Sequence, residues 1–539
     1  MYTLNKIDKL DSSWEGANGK ALIIGAGFGG LAAAMRLLSK GYKVQVFEKN
    51  LELGGRGSSI IKSGHRFDLG PTIITLPNMF RELWNVCGRN FEDDVSLKDL
   101  SEFYTIRFWD GKSLSIKADY RDVLEQVSKL SPSDVNGFEK FLKDAGERYR
   151  VAFESSETMG REPMNLKWAT IRMLPIFALL RADRSVFKHA ASRVKDSRMQ
   201  FALSFHPLFV GANPFNVTSM WGIVSHIEKE FGISTAIGGF SAIAEAMGKV
   251  IKNMGGKIHL GAEVKEINVD DRVAKGITLK SGKTIAADLI VSNTDPMTTY
   301  SNLTPRTRKR WWSRENLSNK NWSMSLFVWH FGTRGTKNLW KDVGQHTILQ
   351  GPDYKREVEN IFFHGGIEEN MSLYVHRPTR NDPTAAPEGD DTFYALACVP
   401  NLKINPNFDW EKDSEKYKER ILARLENKLL PGLSERIVAS HYMTPLDFQD
   451  RYISPFGAGF SLEPQMFQSA WFRPHNISEE IQGLYLVGAG THPGPGVPGV
   501  LASAEVLSKL VPDLKTSSEE NSSPLTLRSN KLGDRVAAE

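Results

Sequence analysis

Lys20-Ala21-Leu22-Ile23-Ile24-Gly25-Ala26-Gly27-Phe28-Gly29-Gly30-Leu31 is the stretch that decides the fold of this chain. The apolar run Ala21 to Ile24 ends in glycines, which predicts a buried strand of a parallel sheet. From Leu31 to Ser39, the residues Leu31, Ala34, Met35 and Leu38 recur on one face of a predicted helix, and Lys43-Val44-Gln45-Val46-Phe47-Glu48 reads as the next strand. Strand, helix and strand within about thirty residues make a β-α-β unit. In the turn, Gly25 permits the tight reversal, Gly27 lets the backbone approach a pyrophosphate, and Gly30 lets helix and strand pack closely. The helix N-terminus offers unpaired N–H groups and partial positive charge to phosphates. Glu48, closing the second strand, is placed to accept hydrogen bonds from ribose hydroxyls. Together these features predict dinucleotide binding.

Working outward, 539 residues allow two or three folding units with sizeable cores. Apolar, charged and aromatic fractions of 41%, 24% and 10% exclude a disordered or collagen-like chain. The net charge of +5 is spread over the whole length, which argues against a nucleic-acid partner. Cys87 and Cys398 stand alone, without neighbouring His or Cys, so neither a metal site nor a disulfide framework is expected and a reducing compartment is the simpler reading. The first twenty residues are polar and lack the apolar core of a secretory signal. The most apolar stretch, Met173 to Leu180, contains Pro175 and falls far short of the roughly 20 residues of a spanning helix.

The middle of the chain is helical in pattern over Val123 to Leu130, Val135 to Arg150 and much of 161–231. At Gly255-Gly256 the period changes to two: Lys257 to Leu260, Glu263 to Val269 and Ala274 to Leu279 read as strands, and Thr284 to Ser292 as the strand that closes this meander. Trp322 to Phe331 and Thr392 to Val399 predict an antiparallel sheet, and Tyr417 to Leu429 a charged amphipathic helix. Leu484 to Val487 is another buried parallel strand, leading into a second glycine cluster, Gly488 to Gly499. There Pro493 and Pro495 delay the next helix until about Val500, so the geometry of a second nucleotide turn is absent. A helix starting there would instead point its N–H groups at a flavin ring. After Leu514 the composition turns to Ser, Glu, Asn and Lys, and a disordered tail is expected.

These residues carry a resemblance. With Phe67-Asp68-Leu69-Gly70-Pro71-Thr72, the run Phe205 to Phe215, Trp471-Phe472-Arg473-Pro474-His475-Asn476 and the Pro/Gly order of Leu484 to Ala504, the chain from about Lys20 to Pro512 resembles the bacterial and fungal carotenoid desaturases of the phytoene-desaturase type, flavoproteins of the amine-oxidase superfamily. The resemblance implies FAD as cofactor, held by Gly25, Gly27, Gly30, Glu48, Lys49, Gly55 and Arg56, with main-chain contacts to the adenine from Val264. It implies flavin contacts near Gly70 and Pro71 and from Gly490, Val497, Pro498 and Val500. Gly54 and Gly55 would let the Arg56 guanidinium reach the pyrophosphate from the far side. Two departures stand out: Ala489 replaces the Asp of many superfamily members, and Gly232 to Gly239 lacks the Trp and Pro that relatives often carry, which bears on the fit of the substrate.

The fold class this implies is α/β. A Rossmann-like FAD-binding domain is assembled from discontinuous segments (20–85, 232–300 and 478–512), beside a mixed-sheet substrate domain (86–130 and 301–477). A helical subdomain (131–231) acts as lid and membrane contact, with a polar extension (1–19) and a tail (513–539) at the ends. The activity implied is desaturation of an acyclic carotenoid precursor, phytoene towards neurosporene or lycopene, by loss of a hydride to flavin and of a vicinal proton. A related carotenoid oxidase, ketolase or isomerase would share nearly every motif, and an intact glycine loop disfavours a non-catalytic prenyl-binding escort. An apolar isoprenoid needs apolar walls and few hydrogen bonds, and no Ser/His/Asp or Cys/His set is evident. His492, Arg473, His475 and His206 are candidates for a proton acceptor or essential polar group, although loop residues of these types commonly tie backbone together, and no catalytic residue is assigned. The stretch Leu166 to Leu180 with Arg172, Arg181, Arg184 and Lys188 suits either an interfacial helix on anionic lipid or an internal hairpin, and a lipid-soluble substrate favours the former. A cytoplasmic, peripherally membrane-associated enzyme is expected, with a quinone or oxygen as electron acceptor because no second nucleotide site is seen.

Overall fold

The computed structural model describes residues 19–151, 160–163, 180–305 and 312–514. Nearly all of the predicted N-terminal extension and tail, and most of the apolar stretch around Pro175, lie outside the described residues.

A five-stranded parallel sheet runs in the order Leu484–Leu486, Leu289–Ser292, Lys20–Ile24, Lys43–Phe47, Lys257–His259. Ile23 pairs with Val46 on one side and Val291 on the other, and the central strands are buried on both faces, as a parallel sheet covered by helices requires. The chain leaves the first strand at Gly25, whose φ of +93° is open only to glycine at low cost. It enters the helix Phe28–Ser39 three residues ahead of the predicted Leu31. A Cβ on Gly30 would lie 2.0 Å from the Gly25 carbonyl oxygen, so only glycine lets this helix sit on its strand. The helix is buried on nearly every side because the helices Gly239–Asn253 and Val497–Leu510 both pack against it. The Phe28 ring meets Phe240 and Phe80 edge-on at 5.7 and 6.2 Å.

The predicted meander is redistributed. Lys257–His259 does not open it but forms the edge of the parallel sheet beside Gln45–Phe47, and the chain reaches it from the Gly239–Asn253 helix. Val264–Asp270, Val273–Leu279 and Thr284–Ala286 form a three-stranded antiparallel sheet, and Leu289–Ser292 leaves it for the centre of the parallel sheet. The single strand expected over Thr284 to Ser292 is thus broken in two. The break is held by Asp288, whose carboxylate accepts the Lys20 N–H at 2.9 Å.

A mixed seven-stranded sheet runs in the order Ile437–Met443, Ser325–Thr333, Asp391–Val399, Leu373–His376, His346–Leu349, Glu102–Arg107, Ser113–Lys117. Successive side chains on a strand point to opposite faces, and the two faces differ in use. Phe327, Trp329, Phe331, Phe393, Ala395 and Val375 pack beneath the helix Trp410–Lys428 through Trp410, Tyr417, Ile421 and Leu425. The intervening Leu326, Val328, Ile348, Tyr374, Tyr394 and Leu396 face a cavity. That helix starts seven residues before the predicted Tyr417, where the Asp409 carboxylate caps the Lys412 N–H at 3.1 Å.

Two central strands of the sheet, Leu373–His376 and Asp391–Val399, are fastened at one end by a buried ion pair. Arg377 Nε and Nη2 donate to the two oxygens of Asp391 at 3.0 and 2.8 Å, and the guanidinium also donates to the Trp340 carbonyl at 2.7 Å. Removing one member leaves the other charge buried alone, which costs about 3–5 kcal/mol. Asp391→Ala is therefore expected to lower the urea midpoint of unfolding sharply. An unchanged midpoint would show that the pair is not what holds these strand ends.

Candidate active site

A cavity of about 1140 Å³ opens at the carboxyl ends of the parallel strands, bordered by Ile24, Phe47, Asn293 and Gly488, and extends over the inner face of the seven-stranded sheet. This is where ligands bind in open α/β sheets. Its two ends have opposite chemistry.

The polar end is built from the first glycine turn, Glu48 to Asn50, Gly54 to Gly57, Glu263 and Val264. The buried Glu48 carboxylate accepts the Ala26 N–H at 2.7 Å through one oxygen and the Asn50 N–H at 2.8 Å through the other, so it is fixed against the mouth of the turn. The half-buried Arg56 guanidinium donates from Nη2 to Ser454 Oγ at 3.0 Å and lies 5.5 Å from the Tyr452 ring centre. Its Nε has no protein partner, and desolvation pulls its pKa down. The seam between the two ends is Leu69 to Thr72 on one side and Gly494 to Val500 on the other. The helix at this seam begins at Val497, not at the predicted Val500. Pro498 sits at its second position, where no N–H is required by the helix, so proline starts the helix and does not delay it.

Of the predicted site residues, Gly25, Gly27, Glu48, Lys49, Gly55, Arg56, Gly70, Pro71, Val264, Val497, Pro498 and Val500 line this one cavity. Lys49 turns its ammonium to the Asp450 carbonyl at 2.6 Å. Gly30 and Gly490 stand behind the wall. A Cβ on Gly490 would lie 2.3 Å from Pro296 Cδ, so that glycine answers to packing.

Three of the four polar candidates are also away from the cavity. Arg473, fully buried, donates to the carbonyls of Ala489 at 2.6 Å and of Leu462 and Gln468 at 3.2 Å, and burial lowers its pKa to about 10. His475 lies 3.1 Å from the Trp471 carbonyl through Nε2 and 2.7 Å from Glu479 through Nδ1, and His492 Nε2 lies 3.2 Å from the Glu162 carbonyl. These side chains tie loops. His206 does reach the wall, with its Nε2 2.9 Å from Tyr104 Oη and 3.2 Å from Glu228 Oε2.

The apolar end is lined by Phe201, Phe205, Phe209, Ile227, Val358 and Phe448 among others. The sequence reading missed the polar groups set into this wall: Tyr374, Tyr394, Glu357 and Ser372. Glu357 accepts the Ser372 N–H at 2.5 Å and its hydroxyl at 2.6 Å, and burial pushes its carboxyl up to about 7. The signal available for Tyr374 and Tyr394 was period-two alternation, which names the face a residue shares but not what that face holds.

The family model of flavin-containing amine oxidoreductases matches residues 28–507. A phytoene desaturase (neurosporene-forming) of Rhodobacter capsulatus is 55% identical over 497 residues, 92% of this chain and 94% of the relative. A phytoene desaturase (lycopene-forming) of a Paracoccus species is 39% identical over 91% of this chain and 97% of its own length. A 4,4'-diapophytoene desaturase of Staphylococcus aureus is 30% identical over 92% and 99%. Among solved structures, an oxidoreductase from Methanosarcina mazei aligns with a TM-score of 0.61 at 20% identity, covering 91% of this chain and 100% of that one. Putrescine oxidase bound to putrescine aligns with a TM-score of 0.62 at 14% identity over 91% and 98%. At these identities the structures establish likeness of fold.

The raised carboxyl of Glu357 sets a pH dependence. A folded pKa near 7 against an ordinary 4.5 contributes stability that is complete below the lower value and lost as pH rises through the upper one. The thermal midpoint is expected to fall between pH 5 and pH 8, and Glu357→Gln to reduce that fall. Equal slopes for both proteins would contradict it.

Proposed function

The chain belongs to the flavin-containing amine oxidoreductase family and, within it, to the phytoene desaturases; we propose that it uses FAD to desaturate phytoene towards neurosporene and lycopene in carotenoid biosynthesis. The observation that carries this reading is one cavity with a polar, glycine-lined end and a mainly apolar, aromatic end that meet at Leu69 to Thr72. The identity of 55% to a phytoene-acting relative, against 30% to a diapophytoene-acting one, supports a C40 chain.

The polar end fits FAD. A buried Arg56 Nε without a partner calls for an acceptor, which a pyrophosphate supplies. Glu48, held by two backbone N–H groups, presents a carboxylate to ribose hydroxyls. Gly25, Gly27 and Gly55 would admit the pyrophosphate against backbone, Lys49 would border the ribose and Val264 the adenine. Gly70, Pro71, Val497, Pro498 and Val500 would border the ring, and Gly30 and Gly490 would support the turns from behind. When bound, the flavin supplies the hydride acceptor. The protein's share is orientation and exclusion of water: aromatic and aliphatic walls hold an allylic C–H against the seam, and the free N–H groups of the Val497–Leu510 helix favour negative charge there.

Delivery of such a substrate requires contact with a bilayer, and we place the contact at the cavity mouth, where Phe231 is half-exposed beside Tyr149. The docking stretch read from the sequence lies mainly outside the described residues, and no described helix is long and apolar enough to cross a membrane. Trp168→Ser, Ile176→Ser and Phe177→Ser together should reduce sedimentation with anionic liposomes; undiminished binding would move the contact elsewhere. A quinone or oxygen remains the proposed electron acceptor.

Expression in cells that accumulate phytoene should yield neurosporene or lycopene, read by pigment chromatography. Unchanged phytoene beside folded flavoprotein would overturn the reading. Arg56→Ala should weaken FAD binding about tenfold or more, the worth of charge-assisted hydrogen bonds, as read by the flavin absorbance of the purified protein.

A further inference from the structure

The wall beside Gly70 contains a continuous polar line. Thr72 Oγ1 lies 2.8 Å from Tyr374 Oη, Tyr374 Oη 2.7 Å from His346 Nδ1, and His346 Nδ1 3.2 Å from His376 Nδ1. Thr72 and Tyr374 face the main cavity. His376 faces a second, small void shared with Arg66, Asp68 and Asp382. Strand geometry makes the alignment: His346 stands opposite His376 in the antiparallel pair, and Tyr374, two residues before His376, shares its face.

Such groups are costly in the wall of a hydrocarbon site, where an unmet polar atom costs about 1–3 kcal/mol. His346 Nε2 is buried with no protein partner. The same sheet face uses Val328, Ile348 and Leu396 nearby, so an apolar alternative fits the strands. The neighbouring Tyr394 differs in a telling way, because its hydroxyl donates to the Gly70 carbonyl at 3.1 Å. Tyr374 has no such backbone acceptor; its oxygen lies between Thr72 Oγ1 and His346 Nδ1, and with His346 protonated on Nε2 its hydrogen points to the bare Nδ1.

We propose that Tyr374 is the proton acceptor of the desaturation, with His346 and His376 as its positioning and charge-carrying partners; this rests on the desaturase reading above. The C–H bond next to the carbon that gives up hydride breaks, and its electron pair becomes the new π bond. The proton adds to Tyr374 Oη while the hydroxyl's own hydrogen passes to His346 Nδ1. The single positive charge then rests on the imidazole pair and is lost through the void at His376, towards Asp68 and Asp382. The hydride goes to the flavin that the established family chemistry supplies. Burial keeps both imidazoles neutral beforehand, His346 with a pKa of about 3 and His376 well below its ordinary value. Weak bases suffice because the proton leaves a carbon beside a developing allylic cation.

The test compares the holoenzyme with Tyr374→Phe and His346→Gln. Flavin content, thermal midpoint and quenching of tryptophan fluorescence by lycopene are expected to stay at wild-type levels. For both variants kcat should fall about tenfold or more, within the range of a lost acid–base group, with KM within about twofold. With phytoene deuterated at the proton-losing carbons, the isotope effect on kcat should rise in Tyr374→Phe. A kcat within about twofold of wild type, or a loss of kcat with an unchanged isotope effect, would overturn the proposal. If Tyr374→Phe does not fold, the same readouts on His346→Gln decide. Failure of the wild type to convert phytoene would instead overturn the function itself.

Discussion

At Gly30 the first helix approaches the Gly25 carbonyl so closely that a single methyl group would overlap it. That contact sets the distance between the first strand and its helix, and the rest of the parallel half is arranged around the helix so placed. Phe80, Phe240, Leu501 and Ala504 come from three remote parts of the chain and join Phe28, Leu31 and Met35 in one core. Gathering them brings the start of the Val497–Leu510 helix to the same cavity as the first glycine turn. Two helix N-termini, nearly the whole sequence apart, thereby contribute N–H groups to one pocket.

The second constraint, on the function proposed above, is that this pocket serves two ligands of opposite character. A dinucleotide needs backbone N–H groups, a carboxylate and a guanidinium, and a polyene needs their absence. The molecule separates the demands by element type. Loops at the ends of the parallel strands supply the polar contacts, and the regular side-chain rows of a second sheet supply the dry floor. Polar groups that remain on that floor are therefore informative, and they cluster beside Gly70, where the two ligands would meet.

Much of this was legible in the sequence because it is local. The glycine turn, the buried strand before it and Glu48 fall within thirty residues and obey one steric logic. The Pro/Gly order after Leu486 marks the far side of the seam. What the sequence could not show depends on distant partners. Thr284 to Ser292 reads as one strand until Asp288 is seen to receive the Lys20 N–H. Arg473 and His475 sit near the flavin-side loop in sequence, yet they face carbonyls behind it. Tyr374, His346 and His376 come from two strands whose register no local pattern specifies, so their alignment appears only once the sheet is assembled. Val497 preceded by Gly496 shows the reverse error, in which two prolines read as a delay and a third supplied the start of a helix.

The seven-stranded sheet packs with one face and serves with the other. Changes at Leu326, Ile348, Leu396 or Cys398 alter the dimensions of the substrate floor while the Phe327, Trp329 and Phe393 side of the same strands keeps its grip on the Trp410–Lys428 helix. Alternate residues of one strand thus meet different physical requirements. Such a division lets a lineage try new chain lengths and oxidation states of polyene at every second position without renegotiating the fold, which makes the scaffold evolvable towards other pigments.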